Sequence, residues 1–203
     1  MQSVRDCSPS IISACSHANF LQNKGSSTVK YVDALMCSGT NSVTIEWSKT
    51  VLRGRNGMSN IKVLLADDHR VVRQGVRALL EAETDMEIVG EVERGLAVAP
   101  AVERLHPDIL VLDLIMPDMN GLEVARVVHE RHPEVRIVVL SMHSHEAYVL
   151  QALRNGAYGY VLKDATPENL VTAIRRTLNG HSYLCPPLQQ LVAKALLMNV
   201  WYA

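Results

Sequence analysis

Asp108-Ile109-Leu110-Val111-Leu112-Asp113 runs straight into Leu114-Ile115-Met116-Pro117-Asp118-Met119-Asn120-Gly121. The aliphatic residues between the two aspartates show no polar alternation. A strand with one face in water alternates, whereas a strand covered on both faces does not. The stretch therefore reads as a buried strand of a parallel sheet. A helix is expected from about Gly121 to Arg131, with Leu122, Ala125 and Val128 on one face.

The same unit recurs on either side. Upstream, Ile61-Lys62-Val63-Leu64-Leu65-Ala66 is a short buried strand, and residues 70–82 carry Val72, Val76, Leu79 and Leu80 at helical spacing. Met86 to Val92 reads as a second strand. Residues 95–105 read as a helix that either starts at Pro100 or kinks there. Downstream, Arg136 to Leu140 is a strand, and a helix over 145–154 is closed by Asn155-Gly156. Gly159 to Leu162 is the last strand of the set. Thr166 can cap the helix that follows, with Pro167 in its first position, Leu170, Ala173, Ile174 and Leu178 on one face, and Gly180 at its end. Strand and helix alternate five times, which predicts an α/β fold with helices on both faces of a parallel sheet. Short right-handed crossovers leave few topologies. The expected one is the flavodoxin-like (βα)5 doubly wound sheet, order 2-1-3-4-5 when strands are counted from Ile61.

The flanks differ. Residues 1–57 are rich in Ser, Thr, Asn and Gly without a sustained period, and are expected to be weakly structured or disordered. Met58 looks like a natural start. Residues 58–181 form the domain. Residues 182–203 hold a Cys-Pro-Pro turn and one amphipathic helix through Leu188, Leu191, Val192, Ala195 and Leu196. The chain carries a formal charge of −1, which favours no charged partner. Cys7, Cys15, Cys37 and Cys185 form no C-x-x-C pair, so neither a zinc site nor a disulfide framework is indicated. No apolar run suits a membrane helix or a signal peptide. These features place the protein in the cytoplasm, as an expectation.

Ligands of open α/β sheets bind beyond the carboxyl ends of the strands. Here the first strand runs into Asp67-Asp68, the third into Asp113, the fourth into Ser141 and the fifth into Lys163. Each alone reads as a cap, a turn or a solvated charge. Together they make a hollow of carboxylates, one hydroxyl and one ammonium. Clustered carboxylates repel, and a hard divalent ion such as Mg²⁺ relieves that. Lys163 and Ser141 suit the oxygens of a phosphoryl group. Asp113, alone on the central strand, is the expected nucleophile toward phosphorus. Asp68 is expected to bind the metal directly and Asp67 through water.

Residues 61–69, 113–121, 138–141 (Val-Val-Leu-Ser) and 156–164 (Gly-Ala-Tyr-Gly-Tyr-Val-Leu-Lys-Asp) resemble response-regulator receiver domains, in wording closest to the NarL/FixJ type. The resemblance implies a two-component phosphorelay in which a sensor histidine kinase phosphorylates Asp113. It implies Mg²⁺ on Asp68, Asp113 and the backbone carbonyl of Ile115, with Asp67 in the acidic pocket. It makes Lys163 the phosphate-contacting lysine and Ser141 with Tyr160 the switch pair. Ser141 would move to the phosphoryl group, and Tyr160 would turn inward to fill the space. A homodimer is a further contact the resemblance allows. Relatives of this type control transcription through a helix-turn-helix domain. Only 17 residues follow Pro186 here, so the chain as given reads as truncated and is not expected to bind DNA.

Two other readings fit parts of this pattern. A stand-alone receiver would act through protein contacts only. A haloacid-dehalogenase-like phosphatase also uses a strand-end Asp, Mg²⁺, Ser or Thr and Lys. It needs a second acid two residues after the nucleophile, where this chain has Ile115, so an enzyme is not expected. Tyr160 also reads as a packed aromatic. His143-Ser144-His145-Glu146 matches no zinc-protease spacing. His69 reads as the start of the first helix, and all eight histidines as structural or surface groups.

Overall fold

The computed structural model describes the backbone of residues 32–36, 43–47 and 60–200, and side chains from 60 to 193. Strands β1 (Val32–Met36) and β2 (Val43–Trp47) pair antiparallel. The rest of the segment 1–57 lies outside the described residues, as does the end beyond Val200.

From Ile61 onward the expected alternation is present. In chain order come β3 (Ile61–Ala66), α1 (Arg70–Glu81), β4 (Met86–Val92), α2 (Val98–Leu105), β5 (Ile109–Leu112) and α3 (Gly121–Arg131). They are followed by β6 (Arg136–Ser141), α4 (Glu146–Arg154), β7 (Ala157–Leu162), α5 (Pro167–Leu178), β8 (Tyr183–Leu184) and α6 (Pro186–Val200). The sheet order is β4-β3-β5-β6-β7-β8, every neighbouring pair parallel. Counted from β3, this is the flavodoxin-like 2-1-3-4-5 with a sixth strand added. Strand β8 falls just before the expected Cys-Pro-Pro turn, where no element was expected. It is two residues long, too short for any periodicity, and it exists because the edge of β7 offers open backbone groups.

Why the central strands lack alternation is now plain. Helices α2, α3 and α4 pack side by side over one face. Helix α5 covers β6 and β7, and α1 lies against β4. Arg175 on α5 reaches Glu83 and Asp85, just beyond α1. Every residue of β5 and β6 is buried.

Local details follow the sequence in part. Pro100 lies in the first turn of α2, after a short 3-10 turn at Gly95–Ala97, so the helix starts near the proline and is not kinked by it. Asn120 caps α3 by accepting from the Glu123 amide at 3.0 Å. Thr166 sits at the N-cap of α5 but does not cap it through its side chain. Its hydroxyl accepts from Asn169 Nδ2 instead, at 2.9 Å. Gly156, after α4, has φ +94°, and a Cβ there would lie 2.2 Å from the His129 ring, so both backbone and space demand glycine.

Candidate functional site

The parallel register builds the site. Ala66 pairs with Leu112, so the next residues, Asp67 and Asp113, leave neighbouring strands side by side. The Asp113 amide donates to the Ala66 carbonyl at 2.8 Å, and the Asp67 amide to that of Val92 at 3.1 Å. One pair further along the sheet, Ser141 is opposite Leu162, and the Lys163 amide donates to the Ser141 carbonyl at 2.9 Å. Residues far apart in sequence thus emerge at one edge.

Their side chains converge there. Lys163 Nζ donates to Asp113 Oδ2 at 2.7 Å and pairs with Asp67 Oδ2 at 2.8 Å. All three side chains are nearly buried, 7%, 3% and 8% exposed. Burial by itself lowers the pKa of the Lys163 ammonium, but the hydrogen bonds and charges of Asp113 and Asp67 outweigh it and hold the group above the ordinary lysine value. The ammonium therefore stays charged at neutral pH. Asp68 lies in the same cluster, and donor atoms of Asp67, Asp68, His69 and Asp113 all fall within 4.8 Å of one another. Ile115 follows two residues after Asp113, and its amide donates to Asp113 Oδ1 at 3.4 Å, a long contact.

Whether these residues suit a cation can be judged from their unmet bonding. Asp67 Oδ2 already faces the Lys163 ammonium at 2.8 Å, whereas Asp68 Oδ1 is a buried atom with no well-aligned hydrogen bond, the His69 ring nitrogen lying 2.8 Å from it. A buried carboxylate oxygen without a donor is costly unless a positive charge faces it. Oxygen donors crowded in this way fit a hard divalent ion.

Two polar features at the junction of β3 and α1 were not legible in the sequence. His69 stands at the N-cap of α1, as expected of the residue that begins the helix, and it is a surface group, 60% exposed, that also faces the acidic cluster. Its Nδ1 lies 2.8 Å from Asp68 Oδ1, 3.5 Å from Asp67 Oδ1 and 3.8 Å from Asp113 Oδ2. Its amide also donates to Asp67 Oδ1 at 2.7 Å. Arg73, one turn into α1, is buried and bonds the Asp67 carbonyl at 2.6 Å, Glu91 at 2.8 Å, and Glu93. This guanidinium ties the acidic loop to β4. Nothing in its helical spacing distinguishes it from a solvated arginine.

Gly121 fixes the other wall. A Cβ on it would lie 2.1 Å from the Asp113 carbonyl oxygen and 2.7 Å from Leu114 Cα. Only glycine lets α3 start this close to the strand end. The loop between is held by the Gly121 amide on the Leu114 carbonyl at 2.8 Å, and by Arg94, which grips Asp118 with two bonds of 2.6 and 2.7 Å.

Ser141 and Tyr160 lie deeper and to one side. Ser141 is fully buried, and its Oγ accepts from the His143 amide at 3.2 Å. Tyr160 is also fully buried, its hydroxyl donating to the His143 carbonyl at 2.7 Å. Burial pushes the Tyr160 phenol up to about 12. The ring thus already occupies an inward position. Its backbone carbonyl accepts from the Cys185 amide at 3.1 Å, which joins it to the strand before α6. The described part of the chain has no helix long and apolar enough to cross a membrane.

Comparisons with known proteins agree with this geometry. Residues 63–175 match the response regulator receiver domain family. The nitrate/nitrite response regulator protein NarL of Escherichia coli (strain K12) is 41% identical over 137 residues, 68% of this chain and 63% of that protein. Transcriptional regulatory protein DegU of Brevibacillus brevis is 35% identical over 136 residues, 67% of this chain and 58% of that protein. The chain thus spans less than two thirds of the length of these curated relatives. Among solved structures, a LuxR-family two-component response regulator from Aurantimonas sp. SI85-9A1 superimposes with a TM-score of 0.66 at 33% identity, covering 68% of this chain and 99% of that one. Sheet order, the acidic edge with its lysine, and these matches together establish that the chain belongs to the response regulator receiver domain family.

Proposed function

We propose that Asp113 accepts a phosphoryl group from a sensor histidine kinase and that the resulting change alters protein contacts, in a transcription-control pathway of the NarL type. The observation that carries this reading is the Lys163 ammonium held between Asp113 and Asp67 at the tip of the central strands. A carboxylate is a usable nucleophile toward phosphorus only where the incoming negative charge meets fixed positive charge.

The chain's own groups divide the work. Asp113 forms the new O–P bond as the P–N bond of a phosphohistidine breaks, and the electron pair of that bond leaves with the imidazole. Lys163 faces Asp113 and is poised to contact a phosphoryl oxygen. Asp68, Asp113 and the Ile115 carbonyl would hold Mg²⁺, with Asp67 beside them. When bound, the ion supplies further charge neutralisation at the phosphoryl oxygens. Ser141 offers its hydroxyl to the phosphoryl group once it turns away from the His143 amide. Tyr160 lies inward with its hydroxyl on the His143 carbonyl, so in this reading a move of Ser141 and its loop is felt at the Tyr160 ring. The chain is a phosphoryl acceptor, not a turnover enzyme, because Ile115 stands where a phosphatase of the related chemistry has its acid. The same reading places it in the cytoplasm, with a kinase and a second copy of itself as contacts.

Incubation of the chain with acetyl phosphate and Mg²⁺, followed by intact mass spectrometry, tests the proposal. The mass should rise by one phosphoryl group, and Asp113→Asn should abolish the gain. An Asp113→Asn variant that is still modified to the same extent would overturn it.

A further inference from the structure

We propose that His69 is a direct nitrogen ligand of the metal in the acidic pocket, so that the site favours Mn²⁺ over Mg²⁺. The inference rests on the reading of Asp67, Asp68 and Asp113 as a metal site and adds to it a ligand of different chemistry.

Geometry is the first support. Two donors at right angles on an octahedral ion, each about 2.1 Å from it, lie about 3.0 Å apart. His69 Nδ1 is 2.8 Å from Asp68 Oδ1 and 3.5 Å from Asp67 Oδ1. It is 3.8 Å from Asp113 Oδ2, shorter than the roughly 4.2 Å expected of donors on opposite sides of such an ion. One ring nitrogen thus faces all three carboxylates, at distances that a shared ion can span.

The backbone is the second support. His69 precedes α1 in an extended conformation, φ −83° and ψ 100°, so its side chain is free of the helix and points back across the strand tips. Its amide is anchored to Asp67 Oδ1 at 2.7 Å, and its carbonyl receives the Arg73 amide at 3.0 Å. Arg73 is itself pinned to the Asp67 carbonyl and to β4. The ring is therefore delivered from a fixed base to the mouth of the pocket.

The third support is the chemistry of the donor set. Asp68 Oδ1, a buried oxygen without a hydrogen-bond donor of good geometry, is the atom nearest the imidazole, 2.8 Å away as an ion-pair contact. Imidazole suits first-row transition ions, whereas Mg²⁺ keeps to oxygen and water. One nitrogen among oxygen donors tilts the site toward Mn²⁺ without excluding Mg²⁺.

The test uses the full chain loaded with Mn²⁺ alone. Pulsed electron paramagnetic resonance should detect ¹⁴N coupling in the wild type and lose it in His69→Ala. Calorimetric titration should show Mn²⁺ affinity falling about tenfold in the variant, the scale of losses at perturbed metal sites, with Mg²⁺ affinity changing far less. Far-UV circular dichroism in EDTA confirms that both proteins are folded. His69→Gln provides a second folded variant that lacks the ring. Mn²⁺ binding without ¹⁴N coupling, or with coupling unchanged in both variants, overturns the role of His69 and leaves the carboxylate site standing. Absence of any Mn²⁺ or Mg²⁺ binding overturns the metal site itself, and the inference with it.

Discussion

Replacing Asp68 by Asn should change stability in opposite directions with and without metal. Asp68 shares a cluster spanning 4.8 Å with Asp67 and Asp113, yet it is the carboxylate that Lys163 does not touch. It is 29% exposed, so its repulsions are reckoned at a water-like dielectric. At that separation two unit charges cost about 0.9 kcal/mol, and the two pairs together about 1.7 kcal/mol. Weaker attraction to Lys163 offsets part of this, and Asn retains an oxygen facing His69. In EDTA, at about pH 8, the variant should be about 1 kcal/mol more stable. With Mg²⁺ at roughly a hundred times its dissociation constant, the wild type gains about 2.7 kcal/mol, most of which the variant forgoes. The difference should then reverse to about 1 kcal/mol in favour of the wild type. Urea unfolding followed by circular dichroism measures both. A variant less stable in EDTA would refute the repulsion argument. Equal stabilisation in both buffers would remove Asp68 from the ligand set.

Two further outcomes follow from the same geometry. Gly121→Ala drives a methyl group against the Asp113 carbonyl and Leu114 Cα, both backbone atoms that cannot swing aside. It should cost about 1–3 kcal/mol and, by displacing Asp113, slow phosphorylation by acetyl phosphate by up to about a hundredfold; unchanged kinetics would show that the loop relaxes freely. Tyr160 keeps its proton in the fold up to about 12, whereas an unfolded chain releases it near 10, so the folded state loses stability as pH rises through that interval. Lys163, also raised, acts with the same sign. Tyr160→Phe should make the alkaline loss of stability shallower by an amount on the order of 2 kcal/mol, read from urea midpoints between about pH 10 and 12; parallel curves would refute the assignment.

The alternation of apolar runs with amphipathic segments after Met58 determined the fold class, because periodicity reports directly which faces are covered. The position of Asp67, Asp68, Asp113, Ser141 and Lys163 after strands placed them at one edge, because every strand of a parallel sheet ends on the same side. Spacing also placed Gly121 at the start of its helix, but not its close approach to the strand end, where a Cβ would lie 2.1 Å from the Asp113 carbonyl oxygen.

Tertiary structure decided what depends on direction and depth. Arg73 looks like any helical arginine until the fold brings Glu91 of β4, and Glu93 just past that strand, up to it. His69 faces the acidic cluster because the chain leaves β3 in an extended turn before α1 begins, an angle no residue spacing encodes. Strand β8 forms only because β7 leaves an edge free, and that pairing joins the Tyr160 backbone to the segment before α6. A linear pattern records which residues are apolar and where a strand stops. Contacts between residues distant in the chain, and the way a side chain leaves its turn, arise only once the sheet has closed its register.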